Sequence, residues 1–82
     1  MKILITGGTG YIASHTALSL LDLEHDVILF DNLSNSSIST VDNIKKISNK
    51  NVSFILGDLR DEKLLSKIIC ENKIEVVIHF AA

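Results

Sequence analysis

Proline and tryptophan are absent from the 82 residues, and cysteine occurs once, at Cys70. A lone cysteine rules out an internal disulfide or a cysteine cluster on metal, and a reducing, cytoplasmic setting is the expectation. No charge of one sign dominates. The formal net charge of −2 gives no electrostatic reason to expect nucleic acid or an anionic membrane as partner. Long hydrophobic runs are missing as well. Met1-Lys2-Ile3-Leu4-Ile5 begins in the manner of a secretory leader, but the apolar stretch breaks at Thr6-Gly7-Gly8, so neither a leader nor a membrane span is expected. What is present is 46% hydrophobic and 22% charged residues, a soluble balance in a chain long enough for one small domain.

With no proline to punctuate the chain, glycines, asparagines and changes of period mark the elements. Ile3-Leu4-Ile5 and Val27-Ile28-Leu29-Phe30 are unbroken apolar runs, the pattern of strands buried on both faces. Between them, Tyr11 to about Leu23 reads as a helix with Ile12, Thr16, Leu20 and Leu23 on one face. Residues 32 to 51 are rich in serine and asparagine, and Val41, Ile44 and Ile47 trace a short, weak helix inside them. Val52 to Leu56 is a third strand, closed by Gly57-Asp58. Asp61 can cap a third helix whose apolar face is Leu64, Leu65, Ile68 and Ile69. Glu75 to Phe80 is a fourth strand. Strands alternating with helices predict an α/β fold with a parallel sheet and right-handed crossovers. In a doubly wound arrangement the strand order is 3-2-1-4. The fourth strand would then be an apolar, unpaired edge, so the chain reads as the first half of a larger fold, prone to association.

The chemistry gathers at Gly7-Gly8-Thr9-Gly10-Tyr11-Ile12-Ala13, between the first strand and the first helix. Glycine suits a turn with positive φ, and it lets backbone approach a phosphate without a Cβ in the way. The helix start then offers free N–H groups and partial positive charge to a pyrophosphate. Glycines alone fit an ordinary tight turn equally well; the strand-to-helix context is what the dinucleotide motif requires. Asp31 follows the second strand directly, 24 residues after Gly7, near the offset of a ribose-binding acid. A carboxylate there accepts ribose hydroxyls and repels a 2′-phosphate, favouring NAD over NADP; its plain alternative is a turn acid. Asp58 holds the same place after the third strand, where a turn acid is an even alternative. Phe80, Ala81 and Ala82 end the fourth strand on that edge, where small residues admit a cofactor, though Phe80 fits a core equally well. His15, His25 and His79 are scattered without ligand spacing, so no metal site is expected. Cys70 reads as inert packing and Lys45-Lys46 as a solvated face. The absence of Gly-Lys-Ser/Thr after the loop argues against a P-loop nucleotidase.

Thr6-Gly7-Gly8-Thr9-Gly10-Tyr11-Ile12 resembles the fingerprint of the extended short-chain dehydrogenase/reductases. Asp31-Asn32-Leu33-Ser34-Asn35-Ser36, Gly57-Asp58-Leu59-Arg60-Asp61 and Val77-Ile78-His79-Phe80-Ala81 narrow the resemblance to the UDP-glucose 4-epimerase family, along the whole chain. The resemblance implies the N-terminal half of a Rossmann-type sheet. It implies that Gly7 and Gly10, with the Tyr11 and Ile12 amides, cradle the pyrophosphate of NAD. By the same resemblance Asp31 holds the adenosine ribose beside Asn32, Asn35 and Ser36, Asp58 and Leu59 flank adenine, and Phe80 and Ala81 border the nicotinamide. It further implies a nucleotide-sugar substrate, a homodimeric parent enzyme and a role in galactose metabolism.

Three departures limit that implication. Ala13 stands where the fingerprint has a third glycine, and its methyl is expected to push the helix slightly outward. Glu24 stands where the family has glycine, and a left-handed backbone there would cost on the order of 1 kcal/mol. The Tyr-x-x-x-Lys pair of the proton chemistry is absent from the 82 residues, so no catalytic residue is assigned. The chain alone is expected to be inactive and to bind NAD weakly or not at all. The alternatives are another NAD-dependent sugar-nucleotide dehydratase or decarboxylase, and a non-catalytic remnant or binding-only module.

Overall fold

A computed structural model describes residues 1–7, 11–33, 39–50 and 52–80, with Tyr11 by its backbone. Seven elements alternate: β1 (Lys2–Thr6), α1 (Tyr11–Asp22), β2 (Asp26–Asp31), α2 (Ser39–Ser48), β3 (Ser53–Leu56), α3 (Glu62–Glu71) and β4 (Val76–His79). The four strands form one sheet, parallel as the alternating pattern predicts and in the order β3-β2-β1-β4 expected of a doubly wound arrangement. Boundaries differ from the sequence reading by one or two residues, the usual uncertainty at element ends. Among the described residues, no helix is long and apolar enough to cross a membrane.

Side chains alternate across a strand, so each strand feeds two cores. Ile3 and Ile5 of β1, with Val27 and Leu29 of β2, face a cluster completed by Ala13, Ala17 and Leu21 of α1 and by Val41 and Ile44 of α2. Leu4, Ile28 and Phe30 face the opposite way, against Ile68 of α3, with Leu64, Leu65, Ile55, Leu59 and Ile74 packed around them. This explains the unbroken apolar runs of β1 and β2: both of their faces are inside. Each fully buried Leu, Ile or Phe contributes about 1.5–3 kcal/mol relative to exposure. β4 pairs with β1, and its side chains alternate between half-buried and exposed.

Five side chains read as inward-facing on the helices are exposed. The buried face of α1 is Ala13, Ala17 and Leu21, whereas Ile12 and Leu23 are 65% and 66% exposed. Thr16 is half-buried and returns its hydroxyl to the Ile12 carbonyl at 3.1 Å. The helix is turned by about one residue from the expected face, because small side chains let its axis approach the sheet. Ala13 is fully inside that contact, so its methyl is part of the core. Ile47 and Ile69 lie at the ends of their apolar traces and are exposed. Cys70, expected in packing, is also exposed.

Each helix ends in a non-glycine residue of left-handed conformation: Glu24 at φ 66°, Asn49 at φ 55° and Lys73 at φ 52°. After α1, Glu24 N donates to Leu21 O at 3.0 Å and His25 N to Leu20 O at 3.1 Å. After α3, Lys73 N donates to Cys70 O at 3.4 Å and Ile74 N to Ile69 O at 3.1 Å. These are paired terminating bonds of the Schellman type, in which glycine is the usual left-handed residue. The strain expected at Glu24 is therefore present, and its carboxylate forms an ion pair with Lys50.

Candidate functional site

The four strands run in one direction, so their carboxyl ends form a single edge. Gly7 leaves β1 there at φ 69°, in the left-handed region that glycine adopts without penalty. Neighbouring tips are laced together by main-chain bonds. Gly7 N donates to Phe30 O at 2.8 Å, Gly57 N to Asp31 O at 3.1 Å, and Phe80 N to Thr6 O at 2.9 Å. The first turn of α1 begins at Tyr11 on the same edge, and the amino-terminal N–H groups of a helix have no partner inside it. A left-handed turn followed by a helix start can receive an anion.

Asp31 ends β2 and is half-buried. Its Oδ1 accepts from Leu33 N at 2.9 Å, and Leu33 itself stands at φ 61°. A leucine in that conformation costs about 1–2 kcal/mol, so backbone strain is held in the turn that aims this carboxylate. Asn32 is exposed beside it.

Asp58 follows β3. Its Oδ1 accepts from Arg60 N at 2.9 Å, and Arg60 Nε lies 3.1 and 3.2 Å from its two oxygens. Arg60 Nη2 completes the grip on Oδ2 at 2.7 Å. The Arg60 side chain, and then its amide, hold the Asp58 carboxyl at about 2, below its ordinary 3.8. The approach to this turn depends on Gly57. A Cβ there would come within 2.7 Å of Leu64 Cδ2 and of Phe30 Cε2 and Cζ, so any larger residue must displace the ring or Leu64. Asp61 caps α3 as its position suggests, accepting from Leu64 N at 3.1 Å.

The carboxyl edge thus carries Gly7, the Tyr11 and Ile12 backbone, Asp31, Asn32, Asp58, Leu59 and Phe80. The Ile12 side chain points to solvent, leaving its amide as the group available to a ligand. Leu59 packs its side chain against the α3-side core, and Phe80 packs against the α1–α2 core. Gly10, Asn35, Ser36 and Ala81 lie outside the described residues. Among the described residues, no group of three or more His, Cys, Asp or Glu side chains is placed to hold a metal ion.

Three features escaped the sequence reading. Gly57 has a visible signal, a glycine directly before an acid at a strand tip. The grip of Arg60 on Asp58 follows an i, i+2 spacing that many exposed turns share. The third is a bond between Thr6 Oγ1 and His79 Nδ1 at 2.7 Å, across 73 residues of sequence, for which no local pattern exists.

The sequence model of a family described as GDP-mannose 4,6 dehydratase matches residues 4–82. A UDP-glucose 4-epimerase of Neisseria meningitidis serogroup B is 51% identical over 80 residues, covering 98% of this chain and 24% of that protein. The crystal structure of UDP-glucose 4-epimerase from Bifidobacterium longum in complex with NAD+ and UDP superposes with a TM-score of 0.96 at 44% identity, covering 100% of this chain and 24% of the other. The UDP-glucose-4-epimerase of Stenotrophomonas maltophila, with bound NAD and formylated UDP-arabinopyranose, gives a TM-score of 0.98 at 39% identity and the same two coverages, 100% and 24%. The chain spans about a quarter of the length of the curated relatives it matches, at 24%.

Proposed function

Because the chain belongs to the GDP-mannose 4,6 dehydratase family, we propose that residues 1–82 are the N-terminal part of the NAD-binding Rossmann domain of a UDP-glucose 4-epimerase. The observation that carries this reading is the left-handed Gly7 between β1 and the start of α1, with Asp31 at the neighbouring tip. It stands in a chain 51% identical to a named epimerase over nearly its whole length.

The residues present fit the cofactor. The turn at Gly7 and the amides of Tyr11 and Ile12 receive the pyrophosphate, with Gly10 between them in sequence. Asp31 accepts the hydroxyls of the adenosine ribose, with Asn32, Asn35 and Ser36 on that side, and its charge excludes a 2′-phosphate. Asp58 and Leu59 flank adenine, and Phe80 and Ala81 border the nicotinamide half. When bound, NAD supplies reversible acceptance of hydride from C4 of the sugar. The chain's own part is to hold and orient the cofactor, since the Tyr-x-x-x-Lys pair that handles the hydroxyl proton is not among these 82 residues. A nucleotide-sugar substrate, a homodimeric parent, a place in galactose metabolism and a cytoplasmic setting belong to the same reading. They are supported by the family resemblance and, for the setting, by the single cysteine.

Titration of the chain with NAD and NADP, followed by amide NMR shifts, tests it. Weak binding that prefers NAD, and that loses the preference in Asp31→Asn, is the expected result. Binding indifferent to Asp31, or no shift at millimolar NAD in the full-length parent, would overturn the reading. The family description favours one other reading, a sugar-nucleotide 4,6-dehydratase. The full-length parent separates the two by its product: UDP-glucose from UDP-galactose, or a 4-keto-6-deoxy sugar.

A further inference from the structure

The glycine loop starts at Thr6, and Thr6 is tethered more firmly than a strand end requires. It is the last β1 residue in the ladder and is paired in register with His79, the last residue of β4. Its carbonyl accepts from Phe80 N at 2.9 Å, and its hydroxyl lies 2.7 Å from His79 Nδ1. Beyond Thr6 the chain passes into Gly7 at φ 69°. Gly7 N is held by Phe30 O at 2.8 Å on the β2 side, so the Thr6 rung is what fixes the same turn on the β4 side. The last rung of a ladder is where strands fray, and a side-chain bond at that rung holds it closed.

We propose that His79 is a positioning residue for the glycine loop. Through the Thr6 hydroxyl it fixes the backbone direction at Gly7, where the chain leaves β1. This rests on the dinucleotide reading of the carboxyl edge. Burial makes the bond asymmetric. Thr6 is 3% exposed, so its hydroxyl has no water to turn to when His79 is lost, whereas exposed His79 can turn to solvent when the hydroxyl is lost. Removing the histidine should therefore disturb the loop more than removing the hydroxyl.

The test compares His79→Asn, His79→Gln, His79→Leu and Thr6→Val in the 82-residue chain, reading the Gly7 amide resonance, NAD affinity by NMR titration, and melting temperature. Asparagine carries a polar atom at the same bond distance from Cβ as Nδ1; glutamine carries one at the distance of Nε2. His79→Asn is expected to keep the Gly7 amide in place and NAD affinity within roughly twofold of native, while His79→Leu and His79→Gln shift the amide and weaken NAD about tenfold. Thr6→Val, nearly the same shape, is expected to show the same shift at smaller amplitude, and it decides the matter if a His79 variant fails to fold. Ile68→Val, in the α3-side core, is the control: it should lower the melting temperature and leave both other readouts alone. If His79→Leu and His79→Gln behave as Ile68→Val does, or Asn restores nothing, the proposal is overturned. Absence of any NAD shift in the full-length parent would instead overturn the dinucleotide reading, and the Gly7 amide would still decide whether His79 holds the loop.

Discussion

The two edges of the sheet use left-handed backbone for different ends. On the carboxyl edge, Gly7 and Leu33 turn the chain beside Asp31, and main-chain bonds lace each tip to its neighbour. On the amino edge, Glu24, Asn49 and Lys73 close the three helices in the same conformation and no candidate ligand group depends on them. Strain of similar size is thus tied to a site on one edge and to chain reversal on the other. Relieving it on the amino edge should only stabilise the protein. Crowding the carboxyl edge should damage the fold and the site together.

The largest expected effect is on the carboxyl edge. Gly57→Ala places a methyl 2.7 Å from the Phe30 ring and Leu64, and overpacking of this kind costs about 1–3 kcal/mol. Urea denaturation should show a lower midpoint, and the Asp58 turn should move in amide NMR; an unchanged midpoint would mean the ring yields freely and the edges differ less than described. Next in size is Lys73→Gly on the amino edge. It removes a left-handed side chain and should stabilise by about 1 kcal/mol, with NAD affinity unchanged. A loss of stability there would break the comparison. Glu24→Gly sharpens it: the same relief is offset by loss of the ion pair between exposed Glu24 and half-buried Lys50, worth about 0–1 kcal/mol, so the net change should be smaller than at Lys73.

The smallest effect concerns acid. The folded Asp58 carboxyl titrates at about 2 against an ordinary 3.8. The unfolded chain therefore takes up the proton first as pH falls. The contribution of this carboxylate is complete above about 3.8 and disappears on descent to about 2. The pair is exposed, so the change in stability is slight, but the titration itself is visible. Carboxyl NMR should place Asp58 near 2 in the native chain and closer to 3.8 in Arg60→Gln. An unshifted Asp58 in the native chain would remove Arg60 from the description of the site.

What the sequence made legible depended on range. The parallel sheet followed from alternation and the strand order from the doubly wound arrangement, and the position of Gly7, Asp31 and Asp58 on one edge followed from their places after strands. Asp61 as a cap was legible because its partner is three residues away. The buried face of α1 was misread because large apolar residues were weighed above alanines, while close packing of a helix on a sheet selects Ala13 and Ala17. Thr6 with His79 and Gly57 with Phe30 were invisible for another reason: each pairing is set by register between strands. Leu33 carries no signal at all, since leucine is not a residue that advertises a left-handed turn.

The placement of β1 also has a consequence in time. β1 leaves the ribosome before β4, yet its β4 flank is completed by a residue 73 positions later. At about 5–20 residues per second, that neighbour follows by roughly 4–15 s. For that interval the glycine loop hangs from a strand paired on one side at most. The earlier strand of the pair thus waits for the later one before its end takes its final shape.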